Sequence, residues 1–95
     1  MHAESPYVIF SASAGNLDAL INLYASGVCL HSSSDYDRRT ALHLAASNGH
    51  EEIIKYLLAV SKDPKQLLGK LDRFGNTPLV DAEREGHKAC AELLK

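Results

Sequence analysis

One stretch of this chain occurs twice, and that repetition limits the fold more than any local propensity does. TALHLAASNGHEEIIKYLL begins at Thr40 and TPLVDAEREGHKACAELLK begins at Thr77, and the two align without a gap. Thr40 falls on Thr77, Leu42 on Leu79, Ala45 on Ala82, Gly49 on Gly86 and His50 on His87. A weaker third copy, VIFSASAGNLDALINLYASG, sets Val8 over Leu42, Ala12 over Ala46, Gly15 over Gly49 and Leu23 over Leu57. Such copies must each form the same small unit, and each unit buries its apolar face only by stacking on its neighbours. The glycines are spaced 34 and 37 residues apart. One spacing lies close to the period of about 33 found in one class of helical repeat, and the other holds a short insertion.

Each copy reads as two short helices with a stop between them. Thr40 and Thr77 are N-caps whose hydroxyls can accept from the free N–H groups of a first turn. Pro78 sits at the first helical position, where its missing N–H does no harm. Ala45, Ala46 and Ala82 are small enough to let a neighbouring helix approach. Gly15, Gly49 and Gly86 end the first helix in the left-handed conformation. In the middle copy the second helix carries Ile53, Ile54, Leu57 and Leu58 as one stripe, with Glu51 and Glu52 in its first turn. Glu52, Lys55 and Tyr56 are expected to face solvent. The segments SSSDYDRR and KLDRFGN have the extended-turn-extended pattern of short β-hairpins, with Phe74-Gly75-Asn76 the better turn.

The chain is short enough, at 95 residues, for one domain. A net charge of -2 gives no electrostatic footprint for nucleic acid or an anionic membrane. No apolar run approaches a membrane span, and MHAESPYVIFSASAG lacks the basic and apolar regions of a secretory signal. Cys29 and Cys90 are read as reduced and buried, which fits an intracellular protein.

The residues that carry chemistry elsewhere are read here as scaffold. His43 and His50 are seven apart on different helices, which matches no common zinc spacing. His43 is expected to tie its loop to the next unit, and His50 and His87 to do the same from the starts of their helices. Ser32-Ser33-Ser34 beside Asp35 lacks a G-x-S-x-G elbow, and no S-x-x-K occurs. The sequence therefore predicts no catalytic residue, no metal and no cofactor. Asp35 and Asp37 are expected to fix their turn by accepting backbone N–H bonds.

A helix–turn–helix unit with a hairpin between units and a T-P-L-H-x-A opening resembles the ankyrin repeat. Thr40-Ala41-Leu42-His43-Leu44-Ala45 and Thr77-Pro78-Leu79-Val80-Asp81-Ala82 carry the resemblance, supported by Gly49-His50, Gly86-His87 and Gly27. It implies an all-α repeat solenoid, a stack of about three units with short β-hairpin loops. The units run roughly over 5–34, 35–71 and 72–95 of a single domain spanning 1–95, taken from a longer protein. Within that family, DYDRRTALHLAASNGHEEIIKYLL followed by DRFGNTPLVDAEREGH is similar to the C-terminal ankyrin segment of animal glutaminases, with Phe74 where that group has tryptophan. The resemblance to glutaminases implies a parent enzyme that hydrolyses glutamine to glutamate and ammonia, and a mitochondrial location. Ankyrin segments of plant ion channels and kinases, asparaginase-like lysophospholipases and small free-standing ankyrin inhibitors stay open as alternatives, with a cytoplasmic location.

The resemblance also implies where a partner binds, because ankyrin partners are held by hairpin tips and the first helix of each unit. Here that surface takes in Tyr36, Arg38, Arg39, Arg73, Phe74 and Asn76 from the hairpins. Ser47, Glu83 and Arg84 join them from the helices. The expected partner is a protein or a neighbouring subunit, not nucleic acid or membrane. Tyr7, Ile9 and Phe10 make the first unit more apolar than an ideal end cap, so homo-oligomer contact through the terminal units is also expected. The insertion AVSKDPKQLLGK, bracketed by Pro64 and Gly69, is expected to form a helical turn packed on the stack through Leu67-Leu68, with an exposed contact point between Val60 and Leu71 as the alternative.

Overall fold

Two N-capping threonines set the positions of the chain's central helices. In the computed structural model, which describes residues 6–28, 30 and 38–95, the Thr40 hydroxyl accepts the His43 N–H at 3.4 Å and the Thr77 hydroxyl accepts the Val80 N–H at 3.4 Å. These caps open α3 (Ala41–Asn48) and α6 (Pro78–Arg84). Ahead of them lie α1 (Pro6–Ala14) and α2 (Leu17–Ala25). Following α3 and α6 come α4 (Glu51–Val60) and α7 (Lys88–Leu94). The pairs α1/α2, α3/α4 and α6/α7 repeat one arrangement, a helix, a glycine in the left-handed region, and a returning helix. Pro78 sits in the first turn of α6.

The first helices form the spine, with α3 packed between α1 and α6. Ala12, Ala45, Ala46 and Ala82 are all fully buried at these contacts, so methyl-sized side chains let the backbones approach. Every residue of α3 from Ala41 to Ala46 is buried, His43 included. The second helices supply the bulk of the core through Leu20, Ile53, Ile54 and Leu57, with α4 against α7. Truncating one such leucine or isoleucine to alanine costs about 2–5 kcal/mol. The stack measures 33 × 24 × 23 Å.

The insertion after α4 is structured. Asp63 Oδ1 accepts the Gln66 N–H at 3.3 Å and starts α5 (Pro64–Leu68), with proline in its first turn. Leu67 is buried in the core and Leu68 packs against it, so the segment is a helical turn held on the stack. Tyr56 departs from expectation. It is half-buried rather than solvent-facing, because its ring meets Tyr24 edge-on with centroids 6.3 Å apart. Cys90 is free and buried, while Cys29 lies outside the described residues. No helix among the described residues is long and apolar enough to cross a membrane.

Candidate protein-interaction surface

The loop from Asp72 to Asn76 is closed by its own backbone and by one carboxylate. Asp72 donates its N–H to the Asn76 carbonyl at 3.0 Å, and Gly75 donates to the Asp72 carbonyl at 3.0 Å. Asp72 Oδ1 accepts the N–H groups of Phe74 and Asn76, each at 2.9 Å. The two ends pair without extending into strands, and Arg73 and Phe74 stand out at the tip. Phe74 is 69% exposed.

His43 fastens the base of this loop to α3. Its Nδ1 accepts from the Thr40 N–H at 3.2 Å and lies 2.9 Å from the Thr40 hydroxyl. Its Nε2 lies 2.8 Å from the Asn76 carbonyl, which can only accept, so the ring carries its proton on Nε2 and donates. Thr40 and His43 thus complete a reciprocal capping box, with imidazole in the role that Glu or Gln usually fills. The other two repeat histidines point the opposite way. His50 Nε2 donates to the Ser13 carbonyl at 3.0 Å, and His87 Nε2 donates to the Ser47 carbonyl at 3.1 Å. Neither caps its own helix by its side chain. Each ring lies over the glycine of the preceding unit. A Cβ built on Gly15 would sit 2.7 Å from His50 Cε1, and one on Gly49 would sit 2.8 Å from His87 Nδ1.

Asp81 is the residue that reading the sequence for function missed. It is fully buried at the position that Leu44 holds in the middle unit. Arg84 donates to its Oδ1 at 3.0 Å, and the Arg39 guanidinium lies 4.0 Å from Oδ2, which has no hydrogen-bond partner. Burial raises the Asp81 pKa, and the charges of Arg84 and Arg39 only offset this in part. Asp72 shifts the other way. Burial opposes its charge, but the N–H bonds from Asn76 and Phe74, with the Arg39 charge, hold its carboxyl below the ordinary value. The break of the apolar pattern at Asp81, where TALHLA becomes TPLVDA, was the available signal.

His43, Asp72 and Asp81 present ligand atoms within 4.8 Å of one another, a spacing that raises the question of a metal ion. The donor set does not suit one. Both imidazole nitrogens are committed to Thr40 and Asn76, Asp72 Oδ1 is filled by two N–H groups, and two guanidinium groups already face Asp81. The cluster is a joint between units.

The residues expected to meet a partner therefore divide into groups. Arg38, Arg73 and Phe74 are exposed loop residues, and Arg38 has φ +59°. Arg39 is turned toward Asp81 with its side chain 25% exposed, and Arg84 is half exposed while pairing with Asp81 and Glu85. Asn76 is half-buried at the base of its loop, and Ser47 is half-buried with its carbonyl occupied by His87. Glu83 is exposed at the far end of the stack beside Gly86, Lys88 and Glu92. Tyr36 lies outside the described residues, as do Ser32–Ser34, Asp35 and Asp37.

The family model of ankyrin repeats, in three copies, matches residues 8–95. The chain is 38% identical over 88 residues to the mitochondrial liver isoform of glutaminase from Rattus norvegicus, covering 93% of this chain and 14% of that protein. It is 34% identical over 93 residues to the serine/threonine-protein kinase VIK of Arabidopsis thaliana, covering 98% of this chain and 20% of the kinase. It is 43% identical over 81 residues to the potassium channel SKOR of the same plant, covering 85% of this chain and 9% of the channel. One stretch of this length thus recurs in a glutaminase, a kinase and a channel, and spans a small part of each.

Proposed function

Because this chain belongs to the ankyrin-repeat family, we propose that it is a non-catalytic binding module that presents a rigid loop edge to a protein partner. Stacked repeats of this kind offer extended surfaces for binding. The observation that carries the reading is Phe74, a large apolar side chain 69% exposed at the tip of a loop that Asp72 closes and His43 anchors. Aromatic and arginine side chains held rigid before contact lose little freedom on binding, which favours them as anchors. Arg73 beside it in the same loop and Arg38 in the preceding loop are exposed cations, and Arg39, Ser47, Asn76, Glu83 and Arg84 remain candidates for the same binding role. A photo-crosslinker placed at Phe74 should capture a protein from an extract of the source cells, and one at Lys55 on α4 should not. Equal capture from both positions would defeat the reading.

We further propose that the parent protein is a glutaminase-type hydrolase, acting in mitochondria, in which this segment governs assembly or choice of partner. The 38% identity to the rat enzyme supports this, together with the paired patterns DYDRRTALH and DRFGNTP. Removing the segment from the parent should leave glutamine hydrolysis in place and change oligomeric state or partner binding. The isolated chain should hydrolyse no glutamine. Unchanged assembly and partner binding after removal would count against the role.

A further inference from the structure

Two consecutive loops reach the same backbone conformation with different residues. DYDRRT lies over DRFGNT in the repeat, which sets Arg38 over Gly75. Gly75 has φ +78° and Arg38 has φ +59°. Glycine enters that left-handed region freely, whereas a residue with a Cβ does so at a cost in energy. Asparagine and aspartate, which tolerate the region through local hydrogen bonds, are the usual substitutes for glycine there, and arginine is not. Arg38 is the one non-glycine with positive φ among the described residues.

Nothing among the described residues repays that choice. The Arg38 side chain is exposed and forms no hydrogen bond or ion pair with any of them. Its neighbour Arg39 is turned inward, toward Asp81 at 4.0 Å. Backbone held outside its preferred regions persists where the residue is needed for more than the local fold. Arg38 offers an exposed guanidinium two residues ahead of the cap that Thr40 and His43 form.

We propose that Arg38 is a binding residue, and that the protein partner meets it with the carboxylate of an Asp or Glu side chain. The proposal rests on the loop-edge reading above and names the partner's chemistry at one position. A guanidinium matches a carboxylate through two parallel hydrogen bonds. Nucleic-acid phosphate is the poorer match, because the chain carries a net charge of -2 and lacks the basic excess that such a ligand selects. Arg38 and Phe74 stand on the loops that lead into α3 and α6, which pack side by side. The two positions are therefore about one helix spacing apart, roughly 10 Å, and one partner surface reaches both.

The test places the photo-crosslinker at Phe74 in the whole chain and compares Arg38 with Arg38→Gly and Arg38→Lys in an extract of the source cells. Arg38→Gly gives this loop the residue that the next one has, so its thermal midpoint should equal or exceed that of the chain with Arg38. Its capture of the partner should nonetheless fall at least about tenfold. Arg38→Lys keeps the charge and loses the planar fork, so its capture should lie between the two. A hexaglutamate peptide should compete with capture, and a hexaglutamine peptide should not. A lower midpoint for Arg38→Gly would show that the guanidinium serves the fold, and it overturns the proposal. Undiminished capture by Arg38→Gly also overturns it and leaves the Phe74 reading standing. Absence of capture at Phe74 with Arg38 in place removes that reading, and this one with it. Equal competition by the two peptides overturns the assignment of a carboxylate.

Discussion

The imidazole of His43 donates to the backbone carbonyl of Asn76 at 2.8 Å, across 33 residues of sequence. The same carbonyl accepts the Asp72 N–H that closes the loop. One side chain therefore joins the cap of α3 to the base of the loop that displays Phe74. The histidines at the starts of α4 and α7 join in the reverse direction, so the middle and last units are latched at both ends.

Gly49 and Gly86 should respond unequally to alanine. Both have left-handed φ, +78° and +77°, which costs an L-residue about 1–2 kcal/mol. At Gly86 a Cβ meets nothing within 4 Å, so that conformational cost is the whole effect. At Gly49 it also collides with the His87 ring. Gly49→Ala should be the more destabilising by at least about 1 kcal/mol in urea unfolding. Equal losses would show that His87 does not pack on Gly49.

Asp81→Leu should raise stability. It restores the residue type of Leu44, removes a carboxylate oxygen with no hydrogen bond, and leaves Arg39 and Arg84 partly in solvent. Replacing buried ionic groups by apolar ones is often neutral or stabilising by about 1–4 kcal/mol, and about 1 kcal/mol is expected here at neutral pH. The sign follows from linkage. The raised Asp81 pKa means that the fold prefers the protonated acid, so this contribution is present below the ordinary value of 3.8 and is lost as pH rises through the folded pKa. The leucine variant should lack that loss. A thermal midpoint lower than that of the unsubstituted protein would show that the arginine pairs outweigh the burial.

Asp72 should contribute with the opposite sign. Its pKa is lowered, so its stabilisation is present above 3.8 and is lost as pH falls through the folded value. Asp72→Asn should cost about 1 kcal/mol at neutral pH, and the difference should shrink as pH falls through the folded pKa of Asp72. A gap that persists in strong acid would mean that loop geometry, not charge, sets the cost.

Phe74→Ser should leave unfolding within about 0.5 kcal/mol of the unsubstituted chain, since the side chain is exposed. It should nonetheless weaken binding of a captured partner by at least about tenfold. Unchanged affinity would remove Phe74 from the contact.

The spine of this fold was legible because the repeat makes each unit a check on the others. Thr40 with Thr77, Gly49 with Gly86 and the alanines of α3 and α6 share their roles in sequence and in space. His43 has no counterpart in the other copies, where Val80 and Ile9 stand, yet it was read as a tie to the next unit. What the sequence concealed lies where copies differ in partner rather than in pattern. Tyr56 looked solvent-facing on its own helix, but Tyr24 on another helix covers it. Asp81 was given no role in the sequence, and its burial between Arg39 and Arg84 emerges only in the fold. Arg39 and Asn76 read as loop-tip residues, yet the fold turns one inward and holds the other at the base of its loop.

The central claim is that His43 holds the display loop rigid, and amide hydrogen exchange of His43→Ala tests it most directly. The account predicts that the Phe74 and Asn76 amides, both donated to Asp72, exchange at least about tenfold faster than the global loss of stability explains. Amides of α7, remote from this latch, should follow the global loss alone. Protection of the loop amides unchanged beyond that global loss would contradict it, and the loop would then hold its shape without His43.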